Sequence, residues 1–377
     1  MIIGGITWWR NNYGSILQAY ALQEYIKLTS DIEYEIINQY GSTIYSANNI
    51  LDKIRRIGLK GTLKKGFWKI AFPGIIKRNK NIQHFVDSNL NISNSCFTEQ
   101  TIGQANDRYD GFICGSDQIW NTSLVSPDNP IYWLKFAEDG KRKISYAPSI
   151  GVSELNDDEK EAVKSNLSSF HSVSCREETG TKAINEALGE DKCVTVLDPT
   201  LLVDRTVWDN ISCEKIYEEP YLFVYLLRGT KAQRKKIEDI AKAKNLKIVT
   251  IPFLDSEKIC WYDSRFGNYK LWDASPADFV SAIRYSEFVI TDSFHCMIFS
   301  CLYHREFLTF PKIGNAQMNR ITGLQELFQM SSRMIDESTP IDNVQNIEKI
   351  DWELVDRILH EKRASSRQYL DNALKVD

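Results

Sequence analysis

The sequence predicts an α/β protein made of two Rossmann-like domains facing across a cleft. Three observations predict it. Short apolar runs alternate with stretches of helical pattern, as in largely parallel sheets. The alternation restarts near residue 215. The 377 residues suffice for two domains, each with its own core. We set the first domain at residues 1–212, the second at 213–350 and a C-terminal helix at 351–377.

Each element has its own justification. Ile2–Trp9 is short, continuous and apolar, the pattern of a buried strand. A polar loop, Arg10–Gly14, leads to a helix over Ser15–Leu28, with Ile16, Leu17, Tyr20, Ala21 and Leu28 along its inner side. Glu35–Asn38, Tyr109–Cys114 and Lys143–Ala147 are the next strands. Asp157–Phe170 is a helix whose first turn carries acidic residues, which suit the helix dipole. Val173–Cys175 and Cys193–Leu197 complete the first set. In the second set, strands Tyr221–Leu227, Leu246–Ile251, Phe288–Thr291 and Phe307–Phe310 alternate with helices Ala232–Lys244, Pro276–Tyr285 and His295–Tyr303. Pro276 suits a first helical turn. Asp351–Leu374 is a long amphipathic helix, and no internal repeat points to a solenoid.

Composition narrows the class. The chain is 43% hydrophobic, 25% charged and 11% aromatic, which excludes collagen-like, low-complexity and small disulfide-stapled proteins. Eight cysteines lack any C-x-x-C pair, so neither a zinc ribbon nor a thioredoxin-like motif is expected. The opening MIIGGITWW has no basic lead-in, and no apolar run approaches the ~20 residues of a membrane span. A cytoplasmic protein is expected. Lys plus Arg total 46 and Asp plus Glu 50, a net charge of −4, so a nucleic-acid partner is not expected. The charge is uneven: Lys53–Lys80 holds ten Lys/Arg and no acid, leaving 36 basic against 50 acidic residues elsewhere.

Ligands of open α/β sheets sit outside the carboxyl ends of the strands. Four places there hold candidate chemistry. Asp292-Ser293-Phe294-His295 follows FVIT and puts His295 at a helix N-terminus, where backbone N–H groups attract anions and a histidine can move a proton. Equally, Ser293 or Asp292 caps the helix and His295 packs. In Gly115–Asn121, Asp117 can act as a base toward a hydroxyl, and Gln118, Trp120 and Asn121 suit a sugar; the alternative is an Asp turn. Asn12, Gly14, Ser15 and Gln18 open a helix without a dinucleotide or P-loop signature. They form either a ligand-binding helix start or a plain connection. Arg176, Arg228 and Arg320 lie at strand or loop ends, where guanidinium matches carboxylate and phosphate, or simply forms surface ion pairs.

Taken together the motifs resemble the polysaccharide pyruvyl transferase family. The matching pieces are Asn12–Gln23 (NYGSILQAYALQ), Gly115–Asn121 (GSDQIWN), Ser145-Tyr146-Ala147, Ser174–Glu177 (SCRE), Leu197–Leu202 (LDPTLL), Thr291–His295 (TDSFH) and Asn319-Arg320. The resemblance implies a GT-B-like fold. It also implies transfer of the enolpyruvyl unit of phosphoenolpyruvate to a sugar, usually as a pyruvate ketal. Galactose, as a 4,6-ketal, is the acceptor we expect, in a capsular, exopolysaccharide or cell-wall precursor carried on a lipid or polymer. His295 matches the family's general acid/base. Some members hold the donor with an Arg two residues before that histidine, where Ser293 stands here. Ser293, Arg228, Arg176 and Arg320 are therefore the expected donor contacts. Asp117 is the expected base on the acceptor, and Asn12, Gly14, Ser15, Gln18, Gln118, Trp120 and Asn121 are the expected acceptor contacts. Neither a metal nor a cofactor is expected.

Two other functions fit the same pattern: a nucleotide-sugar glycosyltransferase and a non-catalytic carbohydrate-binding protein. Phosphate release, nucleoside diphosphate release, or binding without donor consumption separates the three. The basic segment interleaves its cations with Ile54, Ile57, Leu59, Phe67, Trp68 and Phe72. It reads as a peripheral contact with anionic membrane, as a solvated helix pair, or as a lid.

Overall fold

A computed structural model describes residues 1–10, 12–40, 73–227, 229–252, 261–311 and 318–375. The chain divides into two compact units. The first takes the described residues of 1–46, together with 87–204 and 357–375. The second takes 73–86 and the described residues of 205–356.

The first unit is built on strands β1 (Ile2–Ile6), β2 (Glu33–Tyr40), β3 (Ile92–Thr98), β4 (Gly111–Cys114) and β5 (Arg142–Ser145). They lie in the order β3-β2-β1-β4-β5, every pair parallel. Strands β6 (Val173–Cys175) and β7 (Cys193–Thr195) form a parallel pair beyond β5, where Ser145 N donates to Ser172 O at 3.0 Å. The central strands are covered on both faces, which is why they read as unbroken apolar runs. The Tyr13–Thr29 helix follows β1, capped by Asn12, whose side-chain oxygen accepts from Gly14 N (2.9 Å) and Ser15 N (3.4 Å). Strand order reverses between β1 and β4, the place where such sheets bind ligands. The ends of these two strands come very close. A Cβ on Gly115 would meet the Thr7 Cβ at 2.9 Å, so only glycine fits without displacing Thr7. The predicted strand Ile2–Trp9 ends at Ile6, because Thr7 turns out of the ladder and donates to Ser116 O at 2.8 Å.

The second unit repeats the plan. Strands β8 (Tyr221–Tyr225), β9 (Lys247–Thr250), β10 (Tyr269–Lys270), β11 (Phe288–Thr291) and β12 (Phe307–Thr309) lie in the order β10-β9-β8-β11-β12, again all parallel. Its reversal falls between β8 and β11. Two helices open on reciprocal caps: Thr230 with Gln233 before Lys231–Ala243, and Ser275 with Asp278 before Pro276–Arg284. Leu222, Val224, Ile237, Ile240, Ile290 and Leu308 are buried in its core. The Trp208 and Phe299 rings pack edge to face with their centres 4.8 Å apart. The structure is thus α/β with two Rossmann-like domains, as the sequence predicts. Among the described residues no helix is long and apolar enough to cross a membrane. Most of the basic segment, residues 53–72, lies outside the described residues, so the membrane expectation there stands on sequence alone.

Candidate functional site

Each unit carries a polar cluster at its reversal point. In the first unit the cluster forms where β1, β4 and β6 end. Asp117 accepts from the Ser15 hydroxyl in a short hydrogen bond, and its Oδ1 accepts from Gln118 N at 2.9 Å. Its backbone stands in the left-handed region, φ 77°, which is uncommon for a residue with a side chain. Ser149 N donates to Asp117 O at 2.8 Å, which ties this turn to the loop after β5. Gln18 clamps the start of the helix: its amide donates to Thr7 Oγ1 (2.9 Å), Trp8 O (2.8 Å) and Ser15 O (2.7 Å).

Behind Asp117 lies a buried cation. Arg176 Nη1 donates to Asp198 Oδ2 at 2.8 Å and to Ser116 Oγ at 3.2 Å, and its Nε donates to Glu177 Oε1 at 3.1 Å. The side chain is only 3% exposed. Burial by itself would lower its affinity for a proton. The carboxylates of Glu177, Asp198 and Asp117 outweigh that and hold the group more firmly protonated than a free arginine. Asp198 also caps the short helix Pro199–Leu202, accepting from Thr200 N (3.0 Å) and Thr200 Oγ1 (2.6 Å). Ser15, Ser116, Asp117, Arg176 and Asp198 are therefore one linked set.

In the second unit the cluster forms at the ends of β8 and β11. Thr291 Oγ1 donates to Tyr225 O at 2.6 Å and accepts from Ser293 N at 3.0 Å. Asp292 Oδ1 accepts from Leu227 N at 2.6 Å, so the two strand ends are pinned side by side. Ser293 caps the buried Phe294–Leu302 helix, accepting from Cys296 N at 3.4 Å. His295 sits in the first turn of that helix, largely buried, with its ring edge to face with Phe294 at 5.3 Å. The Arg320 guanidinium stands 5.8 Å from the Phe294 ring centre, so one cation joins His295 around the same phenyl ring. A helix N-terminus, an imidazole and a guanidinium together suit an anionic ligand that must be protonated.

Several expected contacts turn out to have local structural duties. Trp120 is fully buried. Its ring stacks on Trp133 at 5.2 Å and its Nε1 donates to Tyr132 O at 3.0 Å, so it is part of the core beneath the Asp117 turn. Asn121 is buried and closes a turn by accepting from Ser123 N at 3.0 Å. Gly14 receives the Asn12 cap, and Gln18 braces Ser15 from inside. Gln118 is buried beside Asp117, and its amide nitrogen has no hydrogen-bond partner among the described residues. Arg176 belongs to the first unit's ion-paired set, whereas Arg320 lies in the His295 cluster. Arg228 lies outside the described residues. Ser116 and Asp198 were missed as site residues. The available signal was an Asp-Pro-Thr directly after a strand in a chain with an arginine after the preceding one.

Comparison with known proteins agrees with this architecture. A family model described as polysaccharide pyruvyl transferase matches residues 12–311. No curated protein matches the sequence significantly. Among solved structures, a candidate UDP-N-acetylglucosamine 2-epimerase from Listeria monocytogenes is 12% identical over 97% of this chain and 90% of its own, with a TM-score of 0.50. A UDP-GlcNAc 2-epimerase from Methanocaldococcus jannaschii is 13% identical over 99% of this chain and 98% of its own, at a TM-score of 0.47. An E. coli heptosyltransferase, WaaC, is 11% identical over 96% of this chain and 99% of its own, at 0.39. At such identities the first of these speaks for the fold alone. The family match spans most of the chain and takes in Ser15, Asp117, Arg176, Asp198 and His295, with Arg320 just beyond its end, and the chain belongs to the polysaccharide pyruvyl transferase family.

Proposed function

We propose that the protein transfers the pyruvyl unit of phosphoenolpyruvate to two hydroxyls of one sugar, releasing phosphate and forming a cyclic ketal. The observation that carries this reading is His295 at the opening of a buried helix directly after β11, in a chain of this family. Phosphoenolpyruvate brings a carboxylate and a phosphate. The helix N-terminus and Arg320 supply positive potential for them, with Ser293 and Arg228 as further donor contacts. His295 gives a proton to the methylene carbon, and C2 becomes oxocarbenium-like. Asp117 takes the proton of an acceptor hydroxyl as its oxygen bonds to C2. Phosphate leaves with the C–O bond electrons and takes up the proton held by Asp117, and the second hydroxyl then closes the ring as its own proton restores His295. Arg176, sealed among carboxylates, acts on the acceptor side by holding the Asp117 set in place. Asn12 and Gln118 are the remaining candidates there for contact with the sugar.

Galactose, joined as a 4,6-ketal in a lipid- or polymer-linked precursor, is the acceptor we favour. The basic segment 53–80 would hold the enzyme at the anionic inner face of the membrane where such precursors reside. The reaction is tested by its leaving group. Inorganic phosphate released from phosphoenolpyruvate only when acceptor is present supports the reading. Nucleoside diphosphate released from a sugar nucleotide would replace it with glycosyl transfer.

A further inference from the structure

The last helix, Trp352–Leu374, enters the first unit from Arg357 onward and grips the two segments that hold the buried cation. Ser366, almost fully buried, accepts from Leu197 N at 3.0 Å, one residue before Asp198, and donates to Lys362 O at 2.7 Å. Arg363 Nε donates to Leu201 O at 2.7 Å, and Arg367 donates to Leu202 O at 3.0 and 2.8 Å. These contacts satisfy carbonyls at the end of the very short helix that Asp198 caps, a helix too short to hold itself. On the other side, Tyr369 OH donates to Ser145 O at 2.9 Å. Ser145 is tied to Ser174, two residues before Arg176, by its hydroxyl donating to Ser174 O and accepting from Ser174 N. Two routes from one helix thus converge on the Arg176–Asp198 pair.

We propose that the C-terminal helix is a brace for the acceptor side of the site and that Ser366 is a positioning residue for Asp117. The route runs from Ser366 through Leu197 to Asp198, then to Arg176 and Ser116, whose neighbour is Asp117. The bracing side chains act on backbone: Ser366 on Leu197 N, Arg363 and Arg367 on Leu201 O and Leu202 O, and Tyr369 on Ser145 O. A hydrogen bond to the backbone beside Asp198 sets where its carboxylate stands. That carboxylate sets the guanidinium and the Ser116 hydroxyl. This inference rests on the reading of Asp117 as the acceptor base, but the brace itself is a statement about geometry.

The test compares the full-length protein with Ser366→Ala and Ser366→Thr. Amide hydrogen exchange is read over residues 116–121, 174–178 and 197–202, with 288–295 as the control. Ser366→Ala should speed exchange about fivefold in 197–202 and also in 174–178, leave the control unchanged, and be reversed by Ser366→Thr. With phosphoenolpyruvate and acceptor, Ser366→Ala should lower kcat or raise the acceptor KM about tenfold while the donor KM stays constant. Faster exchange confined to residues 360–370, or an equal loss toward donor and acceptor, would overturn the brace. If the unmodified protein transfers no pyruvyl unit, the functional reading fails, and the exchange measurement still decides the brace.

Discussion

Asp117 holds a left-handed backbone, φ 77°, at the end of β4, a conformation that costs a non-glycine residue about 1–3 kcal/mol. Ser15, Gln118 N and Ser149 N over-determine it. A turn needing only that backbone would be served as well by glycine, so the carboxylate is what the site keeps. Asparagine tolerates this region well and preserves the side-chain oxygen. Asp117→Asn should therefore fold with a Tm within a few degrees of the parent and lose about 10²–10⁴-fold in kcat, the range for a general base. Near-normal turnover would remove Asp117 from the mechanism. His295 bears the complementary expectation. His295→Gln keeps a polar side chain at the helix opening but cannot transfer the proton. Its kcat should fall by about 10²–10⁴-fold with the circular dichroism spectrum unchanged, and a loss in KM alone would assign His295 to binding only. The sequence placed both residues at strand ends without difficulty. What it could not show was Arg176 turning inward to Asp198 and Glu177, because the pairing joins segments that only the fold brings together.

Among the secondary-structure elements, legibility followed burial. The central strands β1, β4, β8 and β11 are covered on both faces, and their apolar runs were plain. The edge strand β3, Ile-Ser-Asn-Ser-Cys-Phe-Thr, buries few of its residues and has no run to read. Strand β10 is two residues long and escapes any periodicity argument. The Gly115–Asn121 segment shows the same limit in a site. Its polar residues suggested a sugar surface, but Trp120 serves the core. Trp120→Ala should cost about 3–5 kcal/mol in urea unfolding, since it removes the face that stacks on Trp133 and leaves Tyr132 O with only the weak Cys114 thiol as donor. A loss below about 1 kcal/mol, with weaker acceptor binding, would return Trp120 to the ligand.

For the molecule as a whole, the scattered cysteines and uneven charge take on specific meanings. Burial pushes the thiols of Cys114, Cys175, Cys193, Cys296 and Cys301 well above their ordinary pKa. Cys213 is exposed, yet partial burial and then Asp278 raise it to about 11. The thiolate is the reactive form, so a raised pKa means slow alkylation at neutral pH. Alkylation of Cys213 in the folded protein should accelerate about tenfold per pH unit from pH 8 to 10, while those five buried thiols react only on unfolding. Peptide mapping checks this, and fast labelling of Cys114 or Cys296 at pH 8 would contradict the packing of the two central sheets. The net charge of −4 hides ten cations in one segment.

Pyruvyl transfer can be read directly from its products. The most direct test incubates the protein with phosphoenolpyruvate and a panel of lipid-linked or aryl galactosides, glucosides and mannosaminides, and reads the products by mass spectrometry. One acceptor, a galactoside, is expected to gain a single pyruvate ketal with stoichiometric phosphate release. An unchanged panel, together with glycosyl transfer from a sugar nucleotide, would contradict it.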